Sequence, residues 1–393
     1  MSMPEYRAPE SVGRFQSRAF VAGSAALVLS LYGAIKTPES FYQSYLISFM
    51  LVLGLSLGSL GLVMLQHLTS GHWGIIIRRP LESATRTIPL VLAFFIPIAF
   101  FGMKYLYGAW LHPDEQEPLS KFQQSYLTPG GFYFRAIIYF LIWLLLMFIF
   151  DRLSRRQDEC PEDRVLRRRL KMLAGPGIIL YVFAMSFAAI DWVMSLSPHW
   201  ASTIYGFLFV AGQLISSMSL MIAVVVLLSR SEPFSHVLQK RHLHDLGKLL
   251  LAFVMLWAYF DFSQLLIIWS GNLPEEITFY RTRLYGGWGT IAVILLIFHF
   301  FVPFFLLLSQ RLKRNPKVLP KIAWWLIFMR LVDLFWMTRP EFSSRAIPTW
   351  LDIVLPVALG GLWFGFFAFN LRQLPLLPLG DPKLAEAIEH HEH

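Results

Sequence analysis

Residues 203–228 read TIYGFLFVAGQLISSMSLMIAVVVLL, a run without one Asp, Glu, Lys, Arg or His. At about 1.5 Å rise per residue, roughly 20 apolar residues cross the hydrocarbon core of a bilayer. The run is long enough, and its interior polar residues (Gln213, Ser216, Ser217 and Ser219) are uncharged. Working outward, nine comparable segments appear at 15–35, 44–67, 88–110, 132–150, 174–196, 248–270, 288–309, 321–338 and 350–371. The expected fold is all-α and membrane-embedded, with about ten transmembrane helices. It forms one polytopic domain over residues 1–393, with a short N-terminal segment (1–14) and a C-terminal tail (372–393).

Composition agrees. A soluble protein is about 45–50% apolar and about 25% charged, whereas this chain is 56% hydrophobic and 15% charged, with a mean hydropathy of +0.54. Its 35 Phe and 13 Trp suit a lipid surround. Arg14 and Arg18 before the first apolar run imitate a signal peptide, but the run lacks a small-x-small cleavage site and reads as a retained helix. Of the 34 Lys and Arg, 25 fall on the amino-terminal side of the membrane: in the N-terminal segment, alternate loops and the tail. This bias places both termini in the cytoplasm. The net charge of +9 is mostly this asymmetry, split among short loops, and it implies no nucleic-acid partner.

The longest expected connections are 68–87, 111–131, 151–172 and 229–247. The third holds eight basic and five acidic residues, either a solvated surface or a docking surface for a partner. The acidic outer connection (Asp114, Glu115, Glu117) allows the same two readings. His390, His391 and His393 at the end of the tail read as solvated. A single cysteine, Cys160, permits neither an internal disulfide nor an iron–sulfur site. A C-x-x-C-H motif for covalent haem is absent, and only His299 lies deep in a span, with His67 at the end of helix 2. No metal, haem or other covalently bound cofactor is expected in this chain.

Ionisable side chains inside spans are costly and point to function by default. Asp191 and Asp333 fall roughly 6–8 Å inside the outer edge, Arg330 and Asp261 roughly 11–12 Å, and His299 roughly 14 Å, near the midplane. Lys104 lies nearer the outer end of its helix. The ordering fits a hydrated half-channel from the outer face to a central site, with Gln213, Ser216, Ser217 and Ser219 as weaker relays on the other side. Blander readings stand beside it. Arg330 and Asp333, spaced i, i+3, can neutralise each other; His299 can make an ordinary interhelical hydrogen bond; Asp191 can cap its helix. Gly54, Gly58 and Gly61 predict close helix packing, and Pro97, Pro303 and Pro356 predict bends.

Two stretches carry a family resemblance: DWVMSLSPHWASTIYGFLFVAGQ, residues 191–213, and WAYFDFSQLLIIWSGNLPEEITFY, residues 257–280. With S-P-H-W-x-S-T and F-S-Q-x-L-x-I-W-x-x-N-x-P-E-E, they resemble the F-subunit family of alternative complex III, a quinol:electron-acceptor oxidoreductase. That family is itself similar to the NrfD-like membrane subunits of the polysulfide-reductase type. The resemblance extends over nearly the whole chain. It implies two four-helix bundles, helices 2–5 and 6–9, flanked by helices 1 and 10. It also implies an accessory subunit, not catalytic alone, of a respiratory or photosynthetic chain in a bacterial inner membrane. Haem c and iron–sulfur clusters would then belong to partner subunits: an NrfD-like paralogue, multihaem cytochromes c and an iron–sulfur protein, all set among membrane lipids. A quinone such as menaquinone is the implied ligand. Asp261 departs from the apolar residue usual in that slot, so its role is not carried over from relatives.

The functional expectation is a proton path through Asp191, Asp261, His299, Arg330 and Asp333, with a quinone pocket at His299, Asp261 and Gln264. Quinol oxidation releases protons, and a histidine–carboxylate set has a chemical task beside it. The alternatives are a secondary transporter, which calls for broken helices and inverted repeats, and a purely structural scaffold.

Overall fold

The computed structural model describes residues 6–71, 73–114, 118–161, 163–381 and 384. Glu115, Glu117, His390, His391 and His393 lie outside the described residues. Ten long helical segments follow in chain order: α1 (Glu10–Lys36), α2 (Pro38–Thr69), α3 (Trp73–Leu106), α4 (Pro129–Glu159), α5 (Arg164–Leu196), α6 (Tyr205–Leu228), α7 (Lys240–Gly271), α8 (Trp288–Leu308), α9 (Leu319–Thr338) and α10 (Leu351–Leu371). Among the described residues, all of these except α9 are long and apolar enough to cross a membrane, which makes nine candidate spans. The 20-residue α9 carries Lys321, Arg330 and Asp333, and these charges separate it from the rest. The chain is an all-helical, multi-pass membrane protein.

Burial ranks the helices. The apolar window of α2 is 100% buried and that of α6 83%, whereas α1 and α8 are buried over 17% and 22%. The centre is thus α2 against α6, with α9, α7 and α5 around α6, and α3, α5 and α10 around α2. Glycine sets the central distance. A Cβ added at Gly58 would fall 2.2 Å from the Gln213 carbonyl oxygen and 2.5 Å from Ser217 Oγ. Ser217 donates to the carbonyls of Gly54 (3.2 Å) and Leu55 (2.9 Å), fixing the register of the pair. Helix α1 packs on α10, with Gly23 facing Gly361.

Expected connections prove helical. Most of 68–87 is the first part of α3, and its Trp73–Thr85 stretch is almost wholly buried. The basic connection 151–172 is a continuation of α4 and the start of α5, leaving a short link that holds the exposed Cys160. The charges of 68–87 sit in a helix and not in a connection because their partners come from α4 and the C-terminal segment. Glu82 accepts from Arg78 (3.0 Å) and pairs with Arg79; Arg78 also reaches Asp381 (2.9 Å), and Arg79 pairs with Asp158. Ser154 and Gln157 complete the network. Such ions are buried only because each has a counter-charge.

Two helices pass through π-helical turns, Ile98–Gly102 in α3 and Leu296–Phe301 in α8. Pro97 directly precedes the first, and Pro303 follows the second. The shifted register frees carbonyls, which side chains take up: Tyr133 Oη donates to Ala99 (2.9 Å), and Trp325 Nε1 to Phe298 (2.8 Å). Both helices remain continuous.

Candidate functional site

The π-turn of α8 carries His299 inward. Its side chain is fully buried, 0% exposed, and neither Nδ1 nor Nε2 has a hydrogen-bond partner among the described residues. A neutral imidazole offers one donor and one acceptor. Leaving each buried and unmet costs about 1–3 kcal/mol. Buried polar atoms of this kind are normally met by ordered water.

The Trp257 indole of α7 covers the imidazole, with ring centroids 4.2 Å apart at 38°. Trp257 also stands beside Asp333 of α9, its N–H outside hydrogen-bonding geometry. Asp333 and Arg330 form a buried ion pair one turn apart, as their spacing predicted. The Arg330 guanidinium lies 5.3 Å from the Phe209 ring centroid of α6 and close enough to His299 for its charge to be felt there. Asp261, one turn beyond Trp257 on α7, is an electrostatic neighbour of Asp333. Four of the five expected relay residues thus gather between α7, α8 and α9.

From this cluster a polar series continues to the end of the molecule opposite the amino terminus. Asp261 lies near Tyr280, whose hydroxyl burial pushes above its usual range, with the Asp261 charge adding to the effect. Tyr280 therefore stays a neutral phenol. Gln264 Nε2 donates to Tyr280 Oη (3.4 Å), and Ser202 Oγ donates to Gln264 Oε1 (3.0 Å). Ser202 lines an apolar pocket of about 430 Å³ with Tyr126, Trp200 and Phe187. Trp200 stacks on Phe279 at 4.0 Å, so the two sequence stretches singled out above pack together here.

Asp191 stands apart. It lies near the C-terminal end of α5, 1% exposed, where Arg135 Nε (2.8 Å) and Tyr139 Oη (2.7 Å) of α4 donate to Oδ2. The geometry makes it a clamp between α4 and α5. The weaker relays are also largely engaged. Gln213 accepts from Tyr181 Oη (2.8 Å), Ser216 donates to Gly212, and Ser217 holds α2; Ser219 Oγ alone of the four is buried without a partner.

Two of the three quinone candidates are covered or already bonded. His299 has no exposed surface and lies under Trp257, and both ends of the Gln264 amide are already bonded. That set does not fit a quinone ring, and ring-sized space lies instead in the pocket beside Ser202. Sequence reasoning also passed over Arg283, 1% exposed, which lies over the Phe279 ring (3.6 Å) and pairs with Glu341 (2.7 Å). The sequence carries one signal of it, the alternation of Arg281 and Arg283 just past the acidic start of a short helix.

Compared with models of known protein families and with curated proteins, the chain matches none.

Proposed function

We propose that the chain is the proton-conducting membrane subunit of a quinol:electron-acceptor oxidoreductase of the alternative-complex-III type. The observation that carries the proton role is the series from His299 through Asp333 and Asp261 to Tyr280, Gln264 and Ser202. It sets a buried imidazole with two unpartnered nitrogens near two carboxylates, a phenol, an amide and a hydroxyl ending at the pocket beside Ser202. Imidazole and carboxylate exchange protons, and Arg330 holds one carboxylate in place. The two stretches that resemble the F-subunit family supply the redox context. They supply Asp261, Tyr280, Gln264 and Ser202 of this series.

In this account α9 is the tenth span, its charges shielded by α6, α7 and α8. Helices α2–α5 and α6–α9 form two four-helix sets, with α1 and α10 paired at the flank. The termini lie in the cytoplasm. Haem c and iron–sulfur clusters sit in partner subunits, and a quinone ring has room beside Ser202 and Tyr126. The helices stay continuous through both π-turns, which weighs against a transporter built on broken helices.

Gentle purification through this chain tests the assignment. Co-purification of haem c and iron–sulfur subunits with quinol:cytochrome c reductase activity is the expected result. A colourless, solitary protein that moves a solute in liposomes overturns it.

A further inference from the structure

At the end of the molecule shared with the amino terminus, Lys240 opens α7, and the α8–α9 link runs through Gln310, Arg311, Arg314, Asn315 and Lys317. These residues line one open pocket of about 710 Å³. Four of its wall residues are cations, and no carboxylate is in the wall. Lys313 of the same link points inward and is 6% exposed, with its aliphatic stem against Gly247. Burial, with a smaller contribution from the nearby Lys248, lowers its pKa. No ion pair within 4 Å is formed by Lys240, Arg311, Lys313, Arg314 or Lys317 among the described residues.

The pocket lies where an apolar surface ends. Phe305 and Leu308 on α8 and Trp324, Trp325 and Phe328 on α9 are 38–63% exposed, a surface suited to acyl chains. Cations gathered at such a boundary hold the phosphate of a lipid headgroup while its chains lie along the helices. A freely soluble phosphate would gain nothing from the apolar surface.

We infer that the pocket between the start of α7 and the α8–α9 link is a binding site for an anionic phospholipid of the leaflet on the amino-terminal side. Its phosphate pairs with Arg311, Arg314, Lys240 and Lys317, and its chains pack on α8 and α9.

The test is native mass spectrometry of the full chain, with its bound subunits, titrated with cardiolipin, phosphatidylglycerol, phosphatidylcholine or inorganic phosphate. Anionic lipid should bind at least tenfold tighter than phosphatidylcholine, and inorganic phosphate at equal concentration should not displace it. Arg311→Gln/Arg314→Gln should weaken anionic-lipid binding on the order of twentyfold, since each cation near an anionic surface contributes about fivefold. Because both side chains are exposed, the lipid-free melting temperature should stay the same. Equal affinity for both lipid classes, unchanged binding by the double variant, or full displacement by inorganic phosphate would overturn the assignment.

Discussion

Gly212 of α6 lies directly against the guanidinium of Arg330 on α9: a Cβ at that position would fall 2.3 Å from Arg330 Cζ. The absence of a side chain on α6 therefore makes room for the buried cation on α9, and the cation in turn fixes Asp333 beside Trp257. Gly212→Ala should push Arg330 aside and lower stability by about 1–3 kcal/mol, the usual range for overpacking. In an Arg330→Ala background the same change should be nearly neutral. Thermal unfolding of the four proteins in detergent gives the coupling, and equal effects in both backgrounds would show that Gly212 and Arg330 act independently.

The Arg330–Asp333 pair is buried, so removing one partner leaves an uncompensated charge. Arg330→Met alone should cost about 3–5 kcal/mol. Arg330→Met/Asp333→Leu should recover most of that loss while failing in proton transfer. Stability and proton release must both be read, because a purely structural pair would let the stable double variant function normally.

Glu82 joins α3 to α4 through Arg78, Arg79 and Ser154. Glu82→Gln should cost about 3–5 kcal/mol by leaving two buried guanidinium groups under-compensated. The check is thermal unfolding combined with proteolysis of the amino-terminal-side links. Wild-type stability would mean that the arginines find other partners.

At Asp191 the expected effect is mechanical. Tyr139→Phe removes a hydrogen bond to a charged acceptor and should cost about 1.5–3 kcal/mol, leaving the proton-release rate of the assembled protein unchanged. A variant of normal stability that loses proton release would return Asp191 to the relay.

Much of the fold was legible because lipid imposes a simple rule: every span must be long, apolar and helical. Gly54 and Gly58 announced a close helix contact on α2, though not that α6 makes it, and the i, i+3 spacing announced Arg330–Asp333. Legibility failed where partners come from distant sequence. Arg78, Arg79 and Glu82 looked like a loop because Asp158 and Asp381, which help bury them, lie far along the chain. His299 could be assigned a depth, yet neither its π-turn nor its cover by Trp257 follows from a local pattern. Gln264 was rightly placed near Asp261, but its bonds to Ser202 and Tyr280 depend on how α6 meets α7.

The most direct test of the central claim is proton release during quinol oxidation by the complex reconstituted in liposomes, comparing wild type with His299→Ala and Asp261→Asn. Assembly and spectrum of each variant are verified first. The account predicts that both assembled variants release protons at the outer face at least tenfold more slowly than wild type. Proton release and turnover at wild-type rates in both would contradict it and leave the chain a scaffold.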